Sequence, residues 1–160
     1  MCQCAQLAEM ESHDEEVILA AFFHDIGHLC EHIIEVKYMD KYGVVDHEKI
    51  GAEYLLQKGF SEKIAALVAS HVEAKRYLAF KDELYYTSLS DASKKTLEFQ
   101  GGVMTADEAN KFKSDPYFSL YISLRKWDEK AKLTDIPLPS LDKYKILMEA
   151  HLLKQPNLQK

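Results

Sequence analysis

Residues 17 to 29, VILAAFFHDIGHL, are apolar at almost every position and yet carry His24, Asp25 and His28. A run that apolar has no solvent-facing stripe, so it has to be buried on all sides as a helix. The ionisable groups inside it then lose water and must be given partners by the rest of the chain. What pairs with these three groups is the question the rest of the sequence has to answer.

The chain has 160 residues and a net charge of −6. That length suits a single domain, and the charge argues against a nucleic-acid surface, which needs a basic face. The longest apolar run, VILAAFF, is too short to span a bilayer. MCQCAQLAEMESHDEE carries neither the basic nor the apolar part of a signal peptide, so a cytoplasmic location and no membrane partner are expected. Cys2, Cys4 and Cys30 match no paired metal or redox spacing and read as reduced thiols without a function.

Helix punctuation recurs along the sequence. CQCAQLAEM reads as the end of a helix, and SHDE at 12 to 15 has capping-box form, opening a helix that runs to about Cys30. EHIIEVKYMDKYGVV reads as a loop, after which Asp46 caps a helix that Gly59 stops. Ser61 caps a long helix through EKIAALVASHVEAKRYLAF. DELYYTSL forms a short helix, and Ser90 or Asp91 opens ASKKTLEFQ, which Gly101 and Gly102 end. TADE at 105 to 108 is a second capping box, and Pro116 occupies the first turn of PYFSLYISLRKWDEKAK. IPLPS is a turn, LDKYKILMEAHLL a final helix, and residues 154 to 160 a polar tail. No segment alternates as a strand, so the expected fold is an all-α bundle.

In an unbroken helix, His24 and His28 share a face with Asp25 beside them. His47 opens a later helix, His71 lies in the next, and Asp128 follows in SLRKWDEK. Each has a plain structural reading when taken singly: satisfied core histidines, a surface histidine, a solvated carboxylate. Together they offer imidazole and carboxylate donors suited to Fe, Mn, Zn or other divalent metals. An aspartate can give one oxygen to each of two ions, and Asp25 is the natural bridge. Lys75, Arg125 and His28 each lie one turn from one of these donors, and Ser93, Thr96 and Gln100 form a polar stripe along one helix. Beside a metal centre such a set suits a phosphate or phosphonate.

These residues resemble the HD-domain superfamily, with HDIGHL supplying the His-Asp pair and WDEK the late Asp. The longer segments HDIGHL, DHEKIGAEYL, HVEAKRYL, LSDASKKTLEFQGGVMTADEA and LRKWDEKAK resemble the HD-domain mixed-valence diiron oxygenases of the PhnZ type, over nearly the whole chain. That family uses O2 to cleave the carbon–phosphorus bond of hydroxylated aminoalkylphosphonates, releasing phosphate. The resemblance implies an HD-domain helical bundle holding two Fe ions in the Fe(II)/Fe(III) state. Asp25 would bridge them, with His24 and Asp128 on one iron and His47 and His71 on the other. His28, Lys75, Ser93, Thr96 and Arg125 would grip the phosphonate, and Asp25, His28 and Lys75 are the expected catalytic residues. Gln100 is an inferred neighbour.

In the family a histidine precedes the HD pair in a pattern like H-x-x-Q-x-A-x-x-A. Here Gln3, Ala5 and Ala8 fit it, and the histidine position falls just before Met1. His13 is in the wrong register to replace it, and a shortened chain is the expected reason. The alternatives are an HD-type metal-dependent phosphohydrolase, which the same ligands would serve, and a metal-deficient non-catalytic module.

Overall fold

In the computed structural model of the chain, residues 1–131, 134, 137 and 139–155 are described. Among them there are helices and loops and no strand beyond one isolated bridge between Tyr38 and Val44. The polar tail beyond residue 155, and residues 136 and 138 of the expected IPLPS turn, lie outside the described residues. No helix among the described residues is long and apolar enough to cross a membrane.

The helices are α1 (Cys2–Met10), α2 (Glu15–Phe23), α3 (Ile26–Leu29), α4 (His47–Gln57), α5 (Glu62–Ala69), α6 (His71–Lys81), α7 (Glu83–Ser88), α8 (Asp91–Phe99), α9 (Ala106–Lys113), α10 (Phe118–Lys130) and α11 (Asp142–Lys154). Single 3-10 turns occur at Cys30–His32 and Asp40–Tyr42. Helix α2 is the buried axis that its sequence demands. Val17, Leu19, Ala20, Ala21, Phe22 and Phe23 are all buried, and α1, α5, α10 and α11 pack around it. Trp127, Leu67, Val68, Ile64 and Tyr144 complete the core. Fully burying a Leu or Phe side chain contributes about 1.5–3 kcal/mol, so this layer holds the bundle together and fixes the end of α2 in space.

Several caps fall where the sequence puts them. Ser61 Oγ accepts from Ile64 N, Ser90 Oγ from Ser93 N, and Thr105 and Glu108 form a reciprocal capping box. Asp82 caps α7 through Leu84 N. Gly101 and Gly102, both at positive φ, end α8.

Other boundaries differ. Asp14 caps α2, accepting from Val17 N at 3.0 Å, while Ser12 sits at φ 60° in the turn before it. Asp46 occupies the position before α4, but in a left-handed conformation with no side-chain cap bond, and its carboxylate holds Lys49 instead. Pro116 lies in the turn before α10, where Asp115 accepts from Tyr117 N.

Two breaks matter most. The first long helix stops at Phe23 and restarts at Ile26, so His24 and His28 do not share one continuous face. The long helix from Ser61 likewise divides at Ser70, and His71 begins α6 rather than lying inside a single rod.

Candidate metal centre and anion cavity

Both breaks serve the same point. His24 ends α2, Asp25 precedes α3, His47 is the first residue of α4 and His71 the first of α6; of the donors expected from the sequence, Asp128 alone lies away from a helix start or break, inside α10. Five elements converge.

At each histidine one ring nitrogen is engaged by the carbonyl three residues earlier: His24 Nδ1 with Ala21 O (2.8 Å), His71 Nδ1 with Val68 O (2.8 Å) and His47 Nδ1 with Val44 O (3.3 Å). A carbonyl only accepts, so Nδ1 carries a proton in all three and Nε2 is turned toward the centre. His47 Nε2 and His71 Nε2 face each other at 3.0 Å. Two neutral imidazoles so oriented oppose their lone pairs, an arrangement that a cation between them relieves.

Asp25 divides its oxygens. Oδ1 lies 3.7 Å from both His47 Nε2 and His71 Nε2, while Oδ2 lies 3.2 Å from His24 Nε2. His24 Nε2 is also 3.4 Å from Asp128 Oδ1. Two clusters therefore share one carboxylate: Asp25, His47 and His71, and His24, Asp25 and Asp128, with the donor atoms of each within 4.8 Å of one another. The donors and the opposed imidazoles fit a pair of divalent or trivalent cations with Asp25 between them.

Burial and the neighbouring charges set the protonation of these donors. Burial opposes charge on His24, but its hydrogen bonds to Asp128 and Asp25 outweigh that and raise its pKa well above 6.5. Burial, with His71 and His28 nearby, presses His47 down to about 3. Burial brings His71 to about 4 despite Asp25. Burial would raise Asp128, yet the His24 hydrogen bond and Arg125 bring it to about 2. Against burial, His24, His71 and His47 hold Asp25 well below the usual carboxylate range.

A prediction follows for the metal-free protein, whose stability is expected to peak near pH 6.5. Below that value the unfolded chain takes up protons on His47 and His71 that the fold refuses until about pH 3 and 4. Stability then falls with falling pH at a slope approaching about 2.7 kcal/mol per unit. Above pH 6.5 the fold keeps a proton on His24 that the unfolded chain releases, so stability falls again as pH rises through the raised pKa of His24. Thermal unfolding of chelated protein between pH 5 and 9 measures both limbs, and His24→Asn should remove only the alkaline one; a monotonic profile would contradict this assignment.

The clusters open into a cavity of about 240 Å³. Asp25, His47, His71 and Asp128 line it, as do all five expected anion-binding residues, His28, Lys75, Ser93, Thr96 and Arg125; His24 lies buried just behind. His28 stacks on His47 with ring centroids 4.0 Å apart, and its Nδ1 accepts from Val44 N. Its proton is therefore on Nε2. Lys75 Nζ donates to Thr96 Oγ1 at 3.0 Å. Gln100 lines the cavity too, with Oε1 buried and without a hydrogen-bond partner among the described residues.

Sequence reasoning missed Met39 and Tyr42, which the 31–45 loop brings to the wall, and Tyr85 and Glu129, which hold Arg125. Only Glu129 left a signal, its i, i+4 spacing from Arg125.

Residues 1–99 match the HD domain family, well over half the chain. The chain belongs to the HD-domain family. Asp128 lies beyond the matched segment, and the fold brings it within 3.4 Å of His24 in the His-Asp pair. The HD-domain chain is 41% identical over 157 residues to an uncharacterized protein of Acanthamoeba polyphaga mimivirus, covering 98% of this chain and 72% of that one. It is 35% identical over 152 residues to the hydroxymethylphosphonate dioxygenase of Gimesia maris (94% and 74%). It is 38% identical over 139 residues to the glycine-betaine-forming [1-hydroxy-2-(trimethylamino)ethyl]phosphonate dioxygenase of Leisingera caerulea (87% and 70%). The likeness to PhnZ-type members of the HD-domain family thus extends along almost the whole chain.

Proposed function

We propose that this HD-domain chain is a diiron dioxygenase that cleaves the carbon–phosphorus bond of a small hydroxylated phosphonate and releases phosphate. The observation that carries the reading is that two groups of possible metal donors sharing Asp25, and the side chains of His28, Lys75, Ser93, Thr96 and Arg125, meet at one small cavity with His24 just behind its wall. The activities for which the Gimesia maris and Leisingera caerulea relatives are named point the same way.

His24, Asp25 and Asp128 would hold one iron and Asp25, His47 and His71 the other; a mixed-valence pair supplies the redox chemistry toward O2. The chain's own residues bind and orient. Lys75 brings a point charge and Arg125 a planar fork, together matching the double negative charge of a phosphonate. Ser93 and Thr96 offer hydroxyls beside them, and His28 donates from Nε2. Burial of Lys75 and Arg125 strengthens their pull on the anion, because little water competes. With the phosphonate fixed by these groups, the substrate's hydroxyl-bearing carbon is held at the Asp25 end of the cavity.

The test is phosphate release from hydroxymethylphosphonate and from [1-hydroxy-2-(trimethylamino)ethyl]phosphonate by iron-loaded protein, with and without O2. Release of phosphate from at least one, matched by O2 consumption and abolished under anaerobic conditions, is expected. Release that continues without O2 would rule out the oxygenase reading; a metal-dependent phosphohydrolase would instead release phosphate from a phosphoester and none from either phosphonate.

A further inference from the structure

Arg125 is buried and has to serve two partners at once. Nη1 donates to Asp128 Oδ2 at 2.6 Å, tying the guanidinium to a carboxylate whose other oxygen faces His24. The same guanidinium lines the anion cavity. Its remaining edge is held from behind. Nε lies 3.1 Å from both the Tyr85 hydroxyl and Glu129 Oε1, and Nη2 lies 3.0 Å from Glu129 Oε1. The Tyr85 hydroxyl in turn donates to Glu129. An arginine has five N–H donors. Nε, one N–H of Nη2 and one of Nη1 are used in this way, which leaves one on each terminal nitrogen.

Tyr85 is anchored independently of the site. It packs on Ala79, Leu89 and Leu97, a small cluster joining α6, the end of α7 and α8. Glu129 comes one turn after Arg125 on α10 and also borders a surface cleft of about 280 Å³ that shares Ser93 and Arg125 with the site cavity. The clamp therefore registers Arg125 against α8, the helix that carries Ser93 and Thr96.

We propose that Tyr85 and Glu129 are positioning residues that hold the outer edge of the Arg125 guanidinium and thereby divide its donors between Asp128 and the oxygens of the bound phosphonate. The inference rests on the reading of the cavity as a phosphonate site. Without the clamp, the hydrogen bonds that hold the outer edge of the guanidinium are lost, and it can rotate toward Asp128, which can accept both terminal nitrogens as a two-pronged pair. The substrate would lose its fork, while Asp128 would stay paired.

The probe is methylphosphonate, which keeps the anion and lacks the hydroxyl. Its Kd is measured calorimetrically with iron-loaded wild type, Glu129→Ala, Tyr85→Phe and the double variant, alongside iron content and Tm. The expected result is a Kd about 10-fold weaker for Glu129→Ala and about 3-fold weaker for Tyr85→Phe. The double variant should match Glu129→Ala, because both changes open the same clamp. Iron content should be unchanged throughout. Tyr85→Phe keeps the ring in its apolar cluster, so it reports on the hydroxyl even where Glu129→Ala lowers Tm. Wild-type affinity in both single variants would overturn the inference and leave the proposed function standing. Loss of iron in parallel with affinity would also overturn it, making Glu129 a support of Asp128 alone. Failure of the wild type itself to bind methylphosphonate would remove the phosphonate reading, and the inference with it.

Discussion

Asp25→Ala is expected to empty both metal positions, while Lys75→Ala leaves them filled. Asp25 is the only carboxylate common to the two clusters, with Oδ1 toward His47 and His71 and Oδ2 toward His24. Its truncation leaves two imidazole donors on one side and one imidazole with Asp128 on the other, and it removes the negative charge that lies between two cations. Elemental analysis of the variant should find iron reduced at least 10-fold and phosphate release abolished. Lys75 lies on α6 one turn beyond His71 and donates to Thr96, on the side of the cavity proposed to take the phosphonate. Replacing it removes a charge-assisted contact worth about 1.5–3 kcal/mol, or roughly 10- to 150-fold in affinity for the phosphonate. Iron loading should match wild type. Equal metal loss in the two variants would contradict the division between a metal-holding half and an anion-holding half.

The residues of this proposed division were legible in the sequence because residue type and order survive without knowledge of geometry. HDIGHL, DHEKIGAEYL, HVEAKRYL and WDEK carry the five candidate donors whatever path the backbone takes between them. The path itself was not legible. The run VILAAFFHDIGHL contains no proline, and its lone glycine lies after the HD pair, so local propensity gives a single helix, and the same is true across LVASHVEAK. Tertiary packing breaks both, and it does so at His24–Asp25 and at Ser70. A helix end leaves its last carbonyls without intrahelical partners. Ala21 O and Val68 O are such groups, and the Nδ1 atoms of His24 and His71 take them up. The breaks thus supply the hydrogen bonds that aim Nε2 inward, something no continuous rod offers. Tyr85 was equally hidden, since its role depends on α7 lying beside α10, a long-range fact that no short spacing records. Met39 and Tyr42 reach the cavity from a loop whose course only the folded chain defines.

Gly27→Ala is expected to dismantle one half of the centre selectively. The requirement at Gly27 is space and not an unusual conformation: a Cβ there would lie 1.8 Å from His47 O, 2.7 Å from His47 C and 2.9 Å from Gly51 N, all backbone atoms of α4. No side chain can swing aside to make room, so α3 and α4 must separate until the nearest approach grows from 1.8 Å to the 3.4 Å of ordinary contact. Such overpacking costs upward of about 3 kcal/mol. The atom displaced first belongs to His47, whose Nε2 faces Asp25 Oδ1 at 3.7 Å and His71 Nε2 at 3.0 Å. His24 and Asp128 are held by α2 and α10 and are not pushed by this contact. The variant that folds should therefore keep metal at the His24–Asp128 position and lose it at the His47–His71 position, where Asp25→Ala loses both. Gly51→Ala provides the control: its Cβ meets Gly27 N and a methyl of Ile26 at 3.0 Å, a clash relieved by a few tenths of an ångström. Tm and iron stoichiometry of the two alanine variants decide the matter. If Gly27→Ala unfolds at the wild-type temperature with both irons in place, the close approach of α3 to α4 cannot be what sets His47 against Asp25.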